Sequence, residues 1–164
     1  MSAGSRKQQG FTYVGFLMAV AVTGAGLAAF AEIASHAAQR EKEAELLFRG
    51  NQFREAIGAY HRIEERYPQS LGHLLENKGF SMPVRHLRKL YADPMTGQAD
   101  WVVVQAPDGS GIMGVHSRSQ DAPIKTGNFL LKNEGFEGAA RYSDWKFVHS
   151  PSGLSQPIEK SAPK

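Results

Sequence analysis

From Phe11 to Phe30 the chain runs for 20 residues without a single charge. At about 1.5 Å per residue a helix of that length spans roughly 30 Å, the thickness of the hydrocarbon core of a bilayer. Arg6 and Lys7 flank the run on its N-terminal side, and Glu32 is the first charge after it. Basic residues on that flank keep the short N-terminus in the cytoplasm and send the rest of the chain outward. Three readings compete: a cleavable secretory signal, a permanent anchor, or a segment that is cut and then reused. Ala28, Ala29 and Ala31 mimic the small residues of a signal cleavage site, but the sequence beyond them does not read as a fresh N-terminus.

Instead the helical pattern continues. The first proline is Pro68. Beyond the apolar run, Leu46, Leu47, Gly50, Phe53, Ala56, Ile57, Tyr60, Ile63 and Tyr67 recur at spacings of three and four, the mark of one apolar helical stripe. Glu41, Glu45, Arg49, Arg54 and Arg62 fall on the other side and read as a solvated face, with Glu45 and Arg49 spaced for an i,i+4 ion pair. The pattern predicts one helix from Phe11 to Tyr67. Its first half, apolar all round, would touch lipid or identical helices, and its amphipathic second half would be the spine of a folded head.

The stretch KQQG followed by FTYVGFLMAVAV resembles the leader and N-terminal helix of type IV pilins and type II secretion pseudopilins. The resemblance implies a basic leader cut after Gly10 by a prepilin peptidase, which then N-methylates Phe11, with Thr12 matching the usual second residue of the mature chain. The likeness extends in outline to RYPQSLGHLL and LRKLYADPMTGQADWVVV, which resemble the head of the major pseudopilin. One position departs from the family: the usual glutamate five residues into the mature chain is Gly15 here. In filaments that carboxylate is thought to neutralise the terminal amine of a neighbouring subunit, and an unpaired ammonium among apolar helices costs several kcal/mol. Gly15 therefore points to a minor or specialised subunit rather than an abundant self-stacking one. Gly15, Gly24 and Gly26 also allow close helix–helix packing or local melting of the assembly helix.

Beyond Pro68 the sequence predicts short helices over 70–77 and 84–91, with Leu71, Leu74, Leu75, Leu87 and Leu90 facing inward. It also predicts a turn at ADPMTG, a buried strand Trp101–Gln105, a hairpin loop APDGSG, a returning strand Ile112–Ser117 and a third strand Trp145–His149. Residues 118–143 read as irregular. Gly109, Gly111 and Gly114 spell the dinucleotide fingerprint by letter, but no helix follows, so they read as hairpin glycines. The six histidines form no zinc-spaced pair, and there is neither a cysteine nor a serine-hydrolase or phosphate-loop motif. The cations Arg85, Arg88 and Lys89 read as a solvated face. Net charge is +3; without Arg6 and Lys7, 19 Lys and Arg fall to 17 against 16 acids, which argues against a nucleic-acid partner. The loop 117–144 carries Asp121, Glu134, Glu137 and Asp144. The resemblance brings a calcium ion into view there, but no dense acidic run supplies its six to eight oxygens, and no cofactor is predicted.

The expected fold is α+β and pilin-like, a long N-terminal helix with a small antiparallel sheet. Its parts are a leader (1–10), a transmembrane and assembly helix (11–31), a periplasmic head (32–149) and a disordered tail (150–164). The expected function is that of a non-enzymatic pseudopilin-like subunit in the bacterial inner membrane, single-pass, with the head in the periplasm. Its partners would be other pseudopilins or pilins, prepilin peptidase, the inner-membrane secretion platform and the membrane itself. The alternatives are a minor pilin of a type IV pilus or competence system, and a signal-anchored periplasmic binding or enzymatic domain.

Overall fold

The computed structural model describes residues 9–75 and 85–150, and within 9–12 and 24–33 the backbone alone. The fold is α+β: one long helix, α1 (Gln9–Glu64), and a three-stranded antiparallel sheet in the order β1-β2-β3. The leader residues 1–8 and the tail 151–164 lie outside the described residues. By its internal contacts the chain divides into two compact units, 1–39 and 40–164.

In the second unit the apolar stripe of α1 is the core wall. Leu46, Gly50, Phe53, Ala56, Ile57 and Tyr60 are buried, as the spacing predicts, while Ile63 is exposed. The helix stops three residues before the predicted end. Glu65 turns into the left-handed region at φ 55°, its N–H donating to the carbonyl of His61 at 2.9 Å. Pro68 follows, and its ring pushes Tyr67 out of helical geometry. Tyr67 nevertheless reaches the core.

The sheet is a hairpin with a short third strand. β1 (Val102–Gln105) pairs with β2 (Ile112–His116), Val103 opposite Val115 and Val104 opposite Gly114, with an irregularity before Gln105. β2 pairs in turn with β3 (Phe147–Val148), Val115 opposite Phe147. Residues directly opposite share a face, so Val115 and Phe147 form the fully buried side of the sheet. Strand β1 is less buried than predicted: Val103 and Gln105 are exposed because β1 is a flank of the sheet. The three fingerprint glycines belong to this hairpin. Gly109 and Gly111 take positive φ in the loop, and Gly114 lies so close to β3 that an added Cβ would sit 2.6 Å from the Phe147 carbonyl oxygen.

The predicted helix over 84–91 is absent from its described part, 85–91. Its backbone is engaged elsewhere: the amides of His86 and Leu87 donate to the Leu74 carbonyl and the Tyr91 carbonyl accepts from the Trp101 indole, while just beyond it the Ala92 carbonyl accepts from Arg49. Leu87 is buried but Leu90 is exposed, contrary to the predicted inward face. In the described part, 70–75, of the other predicted helix there is one 3-10 turn, Leu71–Leu74. The ADPMTG turn forms as predicted, with Gly97 at φ 74°. Asp93 at its start is fully buried, accepting from the Met95 amide and from the Ser117 hydroxyl at 2.6 Å. Around Trp145 an aromatic cluster closes the core, stacked on Phe136 at 5.7 Å and edge-on to Phe129 and Tyr142.

Candidate functional site

The candidate processing residues Gly10, Phe11 and Thr12 fall in the first turns of α1, and their side chains lie outside the described set. The side-chain surroundings of Gly24 and Gly26 lie outside it too. Gly15 is described: nothing approaches within 4 Å of where a Cβ would stand. A side chain there would point into open space rather than into the chain's own fold.

Around Gly15 the helix is apolar on every side. Tyr13, Val14, Phe16, Leu17, Met18, Val20 and Val22 are each about half exposed or more. At 100° per residue these positions point all round the axis, so no rotation of the helix buries them against one surface. The one hydroxyl in the next turn, that of Thr23, donates to the Ala19 carbonyl at 2.8 Å and so satisfies itself within the helix. Such a surface demands cover by lipid or by other helices. Among the described residues no helix is long and apolar enough to cross a membrane; the side chains of 24–33, which include the last third of the uncharged run, are outside that set.

On the head, α1 uses Glu43, which the sequence reading did not single out, and Arg54 and Arg49, which it assigned to solvent. Glu43 is buried, and its Oε1 accepts from the amides of Ile124 (2.6 Å) and Lys125 (3.2 Å) and from the Tyr142 hydroxyl (2.9 Å). Arg54 lies over the rings of Phe136 and Phe147 and donates to Asn51, Asn133 and the Lys132 carbonyl. Burial, opposed by neighbouring Glu55, lowers its guanidinium to about 10, so it stays charged at neutral pH. Glu45 and Arg49 form the expected pair at 2.7 Å, and Arg49 also reaches the Ala92 carbonyl. Glu41 and Arg62 are exposed, as the reading had them.

These contacts hold the loop 118–144 onto α1. In that loop Asp121 accepts from the Ser119 hydroxyl and Asp144 from the Arg141 amide. Among the described residues no three His, Cys, Asp or Glu side chains gather where they could hold a metal ion. Between α1 and the loop runs a groove of about 370 Å³, walled by Leu47, Phe48, Phe129 and Leu130 with Lys125 and Lys132 at its rim. Phe48, Leu130 and Leu131 expose more than half their surface beside it. The groove offers apolar contact area, with the Lys132–Glu55 ion pair (3.1 Å) among its lining residues.

Comparison with family models, with curated proteins and with solved structures found no match.

Proposed function

We propose that the chain is a pseudopilin-like structural subunit of a type II secretion filament, with a pilin-like fold and no catalytic role of its own. The observation that carries this reading is the continuity of α1. One helix begins beside Gly10 and Phe11, is apolar and exposed on all sides through Val22, and ends as the buried spine of the head. In this reading the N-terminal helix is stored in the inner membrane, cut between Gly10 and Phe11 by prepilin peptidase, N-methylated at Phe11 and drawn into the helical core of a short filament. The mechanism is packing: small residues at Gly15, Gly24 and Gly26 let helices approach closely, while the head, with its exposed Phe48, Leu130 and Leu131, supplies contacts to neighbouring subunits.

Gly15 makes the subunit a minor or specialised one. A filament subunit lacking the carboxylate cannot neutralise its neighbour's terminal amine, and a buried unpaired ammonium is costly. Because the position is open, a glutamate fits there without disturbing the fold. Gly15→Glu is expected to raise self-association of the processed protein several-fold, measured by crosslinking in membranes containing the peptidase. Unchanged crosslinking would count against the missing carboxylate as the limit on stacking. A secretin and a secretion ATPase encoded beside the gene would support the secretion reading; retraction machinery there would move the same chemistry to a minor pilin.

A further inference from the structure

The end of β3 is seated near the C-terminal end of α1 by an imidazole. The His149 ring lies over Gly58, where a Cβ would stand 2.7 Å from its Nδ1, so only a glycine leaves room for it. The His61 ring lies beside it, at a centroid distance of 5.8 Å, and is itself tilted at 44° against Tyr67 at 4.5 Å. The backbone is tied at the same place: the His149 amide donates to the Met113 carbonyl at 2.9 Å and the Tyr67 hydroxyl to the His149 carbonyl at 3.3 Å. We propose that His149 is a pH-sensitive latch, which when neutral holds the C-terminal end of β3 against Gly58 and when protonated releases the chain from Val148 to Ser150.

The charge environment fits a latch that opens in acid. The charged groups acting on the ring are His61, Arg62 and Arg54, all from α1 and all cationic or able to become so. Strand β2 contributes only a carbonyl, that of Met113. The carboxylate of the hairpin loop, Asp108, acts on the Tyr67 phenol, which burial and this charge both push above its ordinary value. Burial first, then these three cations, hold the His149 imidazole below its ordinary value. The folded state therefore binds the proton less readily than the unfolded chain does. The stability this gives is present above the ordinary histidine range and is lost as pH falls through it. His86 behaves alike: burial lowers it against the pull of Glu64, so acid also weakens the fold at a second place. A test must therefore separate local release from general softening. The latch belongs to the head's own fold and stands whether or not α1 enters a membrane.

Amide hydrogen exchange on the full-length chain in detergent micelles, between about pH 7.5 and about pH 5 and corrected for the intrinsic rate, makes the separation. The His149 amide is expected to lose protection several-fold in acid while the core amide of Val115 keeps its own. His149→Phe keeps an uncharged ring and is expected to stay protected at both pH values. Gly58→Ala, which fills the seat, is expected to be unprotected at both. Acid exchange that rises equally at His149 and Val115, or that rises as much in His149→Phe, would overturn the latch. So would a Gly58→Ala chain whose His149 amide remains protected at neutral pH.

Discussion

Replacing Gly50 by alanine is expected to destabilise the head by about 2 kcal/mol, although alanine is the better helix former by about 1 kcal/mol. Three atoms of the Phe147 ring lie 2.4 to 2.5 Å from where the new Cβ would stand. The ring has no free direction in which to retreat. It is fully buried, with Phe136 edge-on at 5.0 Å, Trp101 at 6.4 Å and the Arg54 guanidinium 5.6 Å from its centroid. A methyl group forced into a close-packed seam costs about 1–3 kcal/mol, and here the neighbour that must yield is itself a strand residue pairing with Val115. Thermal unfolding of the full-length chain should show a midpoint lowered by roughly 5–10 °C. Trimming the ring should restore part of the loss, so a double-mutant cycle of Gly50→Ala with Phe147→Leu is expected to give a favourable coupling. A simple gain in stability from Gly50→Ala, as helix propensity alone predicts, would mean that the ring does not sit on the helix.

The second large effect is expected at Glu43. Its carboxylate is buried, and one oxygen serves two loop amides and the Tyr142 hydroxyl, which lies 99 residues further along the chain. Glu43→Ala takes the acceptor away from three donors in a place water reaches poorly. Each buried polar group left unpaired costs about 1–3 kcal/mol, and partial rewetting of the loop brings the expected total to about 3 kcal/mol. Glu43→Gln keeps an acceptor of the same shape without the charge that strengthens these bonds, and should lose only about 1 kcal/mol. The measurement is urea denaturation together with amide exchange at Ile124 and Lys125, whose protection should fall first. Equal stability of the wild-type and Glu43→Ala chains would remove Glu43 as the anchor of the loop.

Both effects rest on contacts that local pattern conceals. Hydrophobic spacing revealed the buried stripe of α1, and turn residues revealed the hairpin, because each follows from periodicity within a short window. Arg54 has the composition of a solvated helix face, and a lone acid such as Glu43 carries no local mark of burial. What buries them is the loop 124–142, about 80 to 100 residues away in sequence. The segment 85–91 was misleading in the opposite sense. Its residues suit a helix, but their amides and carbonyls bond to Leu74 and Trp101, and those tertiary bonds replace helical ones. Asp93 was legible as a turn residue, but its bond to Ser117, across the hairpin, was not.

The candidate site divides in the same way. The uncharged run and its basic flank are plain in the sequence, and the all-round exposure of Tyr13 to Val22 is what such composition dictates. The proposed cut at Gly10–Phe11 is legible through resemblance alone, because cleavage would depend on recognition by another protein and leave no mark in this chain's own packing. Gly15 is informative for the opposite reason: what matters there is a side chain the position lacks, in a helix with room to hold it.

The most direct test of the central claim is the intact mass and N-terminal sequence of the protein extracted from membranes of cells that contain prepilin peptidase. A subunit built for assembly is expected to begin at Phe11 with a methylated amine. A chain that begins near Ala31, or that still carries Met1 although the peptidase is present, would contradict it.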